Sequence, residues 1–111
     1  MPTPSSVTEI SPAELKLQLD SPHPPLVLDV REKWELEAAR LPGTLDIPMA
    51  EVPRRLAELP RDRPIVVMCH AGARSMKVAN FLVHNGFEQV ASLDGGIGAW
   101  AEDVDPSVGT Y

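Results

Sequence analysis

The sequence predicts a single α/β domain built on a mainly parallel sheet. Three observations carry that prediction. Short apolar runs such as Leu26-Val27-Leu28 and Ile65-Val66-Val67-Met68 alternate with stretches of helical pattern, and strands alternating with helices build parallel sheets. The run from Ile65 to Met68 is apolar throughout, as a buried strand requires. The chain has 111 residues, enough for one hydrophobic core and too few for two.

Taken in order, Thr8-Glu9-Ile10 reads as a short first strand. Ser11-Pro12-Ala13-Glu14 supplies an N-cap, a first-turn proline and a capping-box glutamate for a helix whose apolar face holds Leu15 and Leu19. Ser21-Pro22-His23-Pro24-Pro25 is a turn, and Leu26-Val27-Leu28 is the next strand, ending at Asp29-Val30-Arg31-Glu32. A short helix follows around Lys33 to Ala39. Leu41-Pro42-Gly43 turns into a strand over Thr44 to Ile47. Pro53 suits the first turn of a helix reaching about Leu59. The strand Ile65 to Met68 leads through a loop into a helix over Met76 to Asn85, with Gly86 at the left-handed C′ position. Gln89 to Leu93 is the last strand, and Asp94-Gly95-Gly96 turns into a brief helix carrying Trp100. Residues 1–6 are expected as a flexible N-terminus, and residues 104–111 as a C-terminal tail lying on the surface.

Composition narrows the function classes. Hydrophobic residues make 43% of the chain and charged residues 23%, ordinary for a soluble domain. A formal net charge of −6 argues against nucleic acid as the main partner, because phosphate binding needs clustered Lys and Arg. The single cysteine cannot form an internal disulfide, which fits a reducing compartment. Histidines at 23, 70 and 84 show no metal-ligand spacing, so no metal is expected. No apolar stretch approaches the roughly 20 residues of a membrane span. Met1 to Ser6 carries neither a basic nor an apolar signal region. The expectation is a cytoplasmic protein with no membrane partner.

The chemistry converges on Cys69-His70-Ala71-Gly72-Ala73-Arg74-Ser75. A buried strand that ends at a thiol and turns into a helix sets the sulfur at a helix N-terminus, where unpaired N–H groups favour an anion. Such a setting lowers the thiol's pKa and makes a nucleophile near neutral pH. Ala71, Gly72 and Ala73 are small enough for the backbone to curl into an anion-binding nest. Arg74 offers a planar fork suited to an oxyanion, and a helix N-terminus is a poor place for a purely structural cation. His70 suits a general base or a donor to substrate, or equally an outward loop position. Ser75 is read as capping the loop, with a substrate contact second. Asp29 is expected to pair with a nearby arginine or turn N–H groups, His84 to have no chemical role, and Trp34 and Trp100 to be packing residues.

Four blocks then resemble one family. Leu28-Asp29-Val30-Arg31-Glu32, Leu41-Pro42-Gly43-Thr44 with Ile47-Pro48, Ile65 through Ser75, and Gly95-Gly96-Ile97-Gly98-Ala99-Trp100 stand in the order and at the spacing of a single-domain rhodanese, a rhodanese-like sulfurtransferase. The resemblance implies a central parallel sheet of about five strands with helices on both faces. It implies that Cys69 carries sulfane sulfur as a persulfide and that residues 70–75 form the substrate-binding loop. It also implies that Asp29 and Arg31 shape the fold around the site. Arg40 departs from the pattern, standing where relatives often have a histidine.

The activity so implied is double displacement without a cofactor. Cys69 takes sulfur from a donor such as thiosulfate or a persulfide, with Arg74 helping to hold an anionic donor, and passes it to a thiol or to cyanide. The acceptor is a small thiol or a thioredoxin-like or biosynthetic protein. In one alternative the chain is a persulfide carrier for a biosynthetic enzyme. In others it is a cysteine-dependent phosphatase or arsenate reductase, or a non-catalytic binding module. Phosphatases of related fold have a loop one residue longer, a wider cradle for phosphoryl, and non-catalytic relatives often lack the cysteine.

Overall fold

The apolar run after Pro64 becomes the middle strand of a five-stranded, all-parallel sheet in a computed structural model that describes residues 7–111. The first six residues, expected as a flexible N-terminus, lie outside the described residues. In chain order the strands are β1 (Thr8–Ile10), β2 (Leu26–Asp29), β3 (Leu45–Asp46), β4 (Ile65–Met68) and β5 (Val90–Leu93). They lie side by side as β1-β5-β4-β2-β3. β4 pairs in register with β2 on one side (Leu28 with Val67) and β5 on the other (Val66 with Ala91).

The helices are α1 (Pro12–Leu19), α2 (Lys33–Ala38), α3 (Ala73–His84) and α4 (Gly96–Asp103), joined by 3₁₀ segments over Met49–Glu58 and Pro106–Val108. The stretch around Pro53 is therefore 3₁₀ rather than α, with a kink at Arg55. Proline removes an internal hydrogen bond there, and the tighter winding tolerates its loss. The capping box on α1 forms as expected, with the Ser11 hydroxyl accepting from Glu14 N–H and the Glu14 carboxylate from Ser11 N–H, each at 3.1 Å.

Side chains alternate along β4 and divide the core in two. Ile65, Val67 and Cys69 join Leu28, Ile47, Val52, Val78, Ala79 and Leu82 beneath α3 and the first 3₁₀ segment. Val66 and Met68 join Leu15, Leu93, Ile97 and Trp100 beneath α1 and α4. Helices thus cover both faces, which is why β4 has no polar residue. Residues 104–111, read as a surface tail, are anchored at two points. Val108 is buried in the second cluster and accepts a backbone hydrogen bond from Arg40 at 2.9 Å, and Tyr111 reaches back over the loop that follows β4. Trp100 packs in the core as expected, whereas Trp34 is 62% exposed and packs only at the surface.

Candidate active site

Cys69 leaves the central strand with its side chain 1% exposed. The loop after it is shaped from the far side by α4. Ile97 N–H donates to Cys69 O at 2.9 Å and Gly98 N–H to His70 O at 3.1 Å. A Cβ on Gly96 would stand 2.4 Å from both of those carbonyl oxygens, so only glycine lets the α4 backbone approach this closely. With its carbonyls turned toward α4, the loop turns N–H groups toward the sulfur. Gly72, at φ +115°, makes the bend. Cys69 Sγ accepts from Gly72 N–H at 3.1 Å and Ser75 N–H at 3.3 Å, and the thiol faces the Ser75 hydroxyl at 3.4 Å.

Burial is the largest single influence on the Cys69 thiol and pushes its pKa up. The Ser75 hydroxyl and the N–H groups of Ser75, Gly72 and Ala71 together outweigh burial and hold it below the ordinary value. Ser75 is fully buried, donates to Gly72 O at 3.0 Å and shares a hydrogen bond with Ser92 Oγ at 2.8 Å. Ala71 and Ala73 are exposed at the loop rim, and Ala73 begins α3.

Arg74 does not present an open fork. Its Nη1 and Nη2 donate to Glu35 Oε1 and Oε2 at 2.6 and 2.7 Å, a bidentate pair. Glu35, on α2, is 3% exposed and also accepts from Glu32 N–H at 3.0 Å and from the Tyr111 hydroxyl at 2.7 Å. Arg74 is the chief reason its carboxyl is lowered to about 2; burial opposes the shift, and the Glu32 and Tyr111 hydrogen bonds add to it.

Asp29 and Arg31 lie behind this pair, fully buried and joined to each other. Asp29 accepts from Arg31 Nε at 3.0 Å, Arg31 Nη2 at 2.8 Å and Arg31 N–H at 3.1 Å, the pairing expected of it. Arg31 then donates to Glu35 O at 3.1 Å, Ala39 O at 2.8 Å and the Tyr111 hydroxyl at 3.1 Å. His70, half-buried, stacks under the Tyr111 ring. Arg40 pairs with Asp46.

The structure therefore brings Cys69, Ser75, the loop backbone, Asp29, Arg31 and Arg74 into one region. It adds Glu35, Ser92 and Tyr111, which sequence reasoning passed over. Ser92 carried a signal, a hydroxyl inside an apolar strand. Glu35 carried none that separates it from Glu32 and Glu37. Among the described residues, no group of three or more His, Cys, Asp or Glu side chains could hold a metal, and no helix is long and apolar enough to cross a membrane.

The sequence and the fold that carry this site are similar to those of known proteins. The model of the rhodanese-like domain matches residues 11–103. The chain belongs to the rhodanese-like domain family. It is 36% identical over 102 residues to a sulfurtransferase of Allochromatium vinosum, covering 92% of this chain and 95% of that one. It is 35% identical over 75 residues to the thiosulfate sulfurtransferase GlpE of Pseudoalteromonas translucida, covering 68% of this chain and 71% of that one. The crystal structure of a rhodanese-related protein from Thermoplasma volcanium superimposes with a TM-score of 0.80 at 31% identity, over 87% of this chain and 93% of that one. The rhodanese relatives support sulfur transfer as the class of activity.

Proposed function

We propose that this rhodanese-like domain is a sulfurtransferase in which Cys69 carries the transferred sulfur as a persulfide. The observation that supports it most is the pair of N–H groups from Gly72 and Ser75 aimed at Cys69 Sγ, with the thiol's pKa held down by them and by the Ser75 hydroxyl. The Cys69 thiolate attacks the outer sulfur of a donor such as thiosulfate or a persulfide. The donor's S–S bond breaks and its electron pair departs with sulfite or a thiolate. The terminal sulfur left on Cys69, anionic after thiosulfate and after loss of its proton to solvent when the donor is a hydropersulfide, rests in the loop's ring of donors, which stabilises it electrostatically. An acceptor thiol then takes that sulfur and returns Cys69 to the thiolate. Nothing in this cycle requires a cofactor.

Four residues separate Cys69 from Arg74, a ring sized for one sulfur atom rather than a phosphoryl group. His70, Ala71 and Ala73 form the rim that a donor crosses, and Arg74 frames the loop through Glu35. With no second cysteine in the chain, the persulfide cannot resolve internally and waits for an outside acceptor, a small thiol or a thioredoxin-like or biosynthetic protein. The fold does not depend on a disulfide and the nucleophile must be a free thiol, which fits a reducing compartment, and we assign the protein to the cytoplasm.

Intact-mass measurement tests this. After thiosulfate or glutathione persulfide, wild type should gain one sulfur atom that cyanide or a small thiol removes. Alkylation rate against pH should show Cys69 titrating below an ordinary thiol, and Cys69→Ser should fold yet neither load nor turn over. Retained transfer in Cys69→Ser, or no loading from any donor, rejects the reading.

A further inference from the structure

We propose that Glu35 sets donor specificity at Cys69: by engaging both Nη atoms of Arg74 it disfavours dianionic donors such as thiosulfate and leaves hydropersulfides, R–S–SH, as the preferred sulfur source. This rests on the sulfurtransferase reading above and deepens it.

Arg74 is the only lysine or arginine from Cys69 to Ser75. Its guanidinium is already engaged by a carboxylate that cannot easily let go. Glu35 is held by four donors at once: the two Arg74 nitrogens, Glu32 N–H and the Tyr111 hydroxyl. The next cation inward, Arg31, is matched by Asp29 in the same way. These two guanidinium groups therefore meet two carboxylates, and among the described residues neither is left as a surplus cation to receive an anion. The backbone N–H groups on Sγ are partial charges that stabilise one sulfur anion and little more.

The donors differ in what they ask of that field. With thiosulfate, a thiolate approaches a dianion and sulfite departs with two negative charges, so three charges gather at the reacting sulfurs. With R–S–SH, Cys69 Sγ bonds to the outer sulfur, the inner S–S bond breaks, and its electron pair leaves as R–S⁻. The proton stays on the transferred sulfur, and a single negative charge moves through the transition state. A neutralised rim penalises the first path and spares the second, because like charges in a partly desolvated site repel strongly. The Pseudoalteromonas relative is named for thiosulfate; the Glu35–Arg74 pair makes thiosulfate a poor donor here.

The experiment measures single-turnover sulfur loading of Cys69 by intact mass, with thiosulfate and glutathione persulfide run separately on folded wild type, Glu35→Gln, Glu35→Asp and Ala73→Lys. Wild type should load faster from glutathione persulfide. Glu35→Gln should raise the thiosulfate rate constant on the order of tenfold and alter the persulfide rate constant by less than about threefold. Glu35→Asp keeps the carboxylate and should retain the wild-type preference. Ala73→Lys adds an unpaired cation at an exposed rim position, and should shift the ratio toward thiosulfate even where Glu35→Gln fails to fold. A wild type that prefers thiosulfate, or a ratio unchanged in the folded Glu35→Gln or in Ala73→Lys, overturns the role of Glu35 alone. A wild type that loads from neither donor overturns the sulfurtransferase reading instead.

Discussion

The Tyr111 ring stacks on the His70 imidazole, with centroids 4.2 Å apart and planes inclined by 26°. The same tyrosine donates its hydroxyl to Glu35 and accepts from Arg31. One side chain from the last segment of the chain thus steadies the residue next to the nucleophile and the carboxylate that engages Arg74. Trp34 meets the Tyr111 ring edge-on at 5.7 Å, so even this exposed indole belongs to the clasp.

Tyr111→Phe should keep the stack and lose both hydroxyl contacts, which join charged partners. Urea unfolding should show a loss of about 1–3 kcal/mol. Tyr111→Ala should lose the stack as well, roughly a further 1 kcal/mol or more. The His70 imidazole proton resonances should move in the alanine variant and stay near wild type in the phenylalanine variant. Equal stability of all three proteins would mean that the clasp does not form in solution.

Glu35 predicts a pH dependence with a definite sign. Its folded value of about 2 lies beneath the ordinary 4.5, so the unfolded chain takes up this proton first as the solution is acidified. The pair's contribution is complete above about pH 4.5 and disappears as pH falls toward 2. The difference between those values corresponds to about 3 kcal/mol for this buried carboxylate. Other carboxylates titrate in the same window, so the informative quantity is the stability gap between wild type and Glu35→Gln. That gap should narrow steadily from pH 5 toward the acid limit. A gap that stays constant with pH would contradict the ion pair.

Gly96→Ala probes the contact between α4 and the loop. Its Cβ would collide with the carbonyl oxygens of Cys69 and His70, and its φ of +59° is already unfavourable for alanine. We expect destabilisation of about 2 kcal/mol or more, with slower sulfur loading because the N–H groups lose their aim. Gly43→Ala, also at positive φ but with open space around it, should cost less and leave loading intact. Comparable loading defects in both variants would show that the α4 contact is not what aims the loop.

Much of this was legible from residue order. The apolar run at Ile65, the capping box at Ser11 and the small-residue loop after Cys69 are local signals, each with a physical cause confined to a few neighbours. The 3₁₀ winding at Pro53 was missed because proline at the start of a helical pattern does not say how tightly the chain winds. The partner of Arg74 was missed for another reason. Glu35 lies 39 residues away, and two other glutamates, Glu32 and Glu37, share its local pattern. Only the pairing of β2 with β4 brings the α2 carboxylate beside the loop. Trp34 packs, but at the surface, because its partner is a tyrosine that stands far along the chain and the local sequence does not show it.

The parallel sheet separates the molecule into a working pole and an idle one. All five strands run parallel toward the pole that holds the thiol, with Cys69 directly after β4, Arg31 directly after β2, and the first turns of α2 and α3 carrying Glu35, Arg74 and Ser75. The opposite pole is made of turns, where Arg63 Nε and Nη2 tie the 60–64 link to Pro24 O and Pro25 O at 3.0 and 3.3 Å. A tether, fluorophore or fused domain grafted on those turns meets the full length of the sheet before it meets the sulfur. The protein can therefore be anchored to a surface by its back, with its reactive mouth left facing the solution.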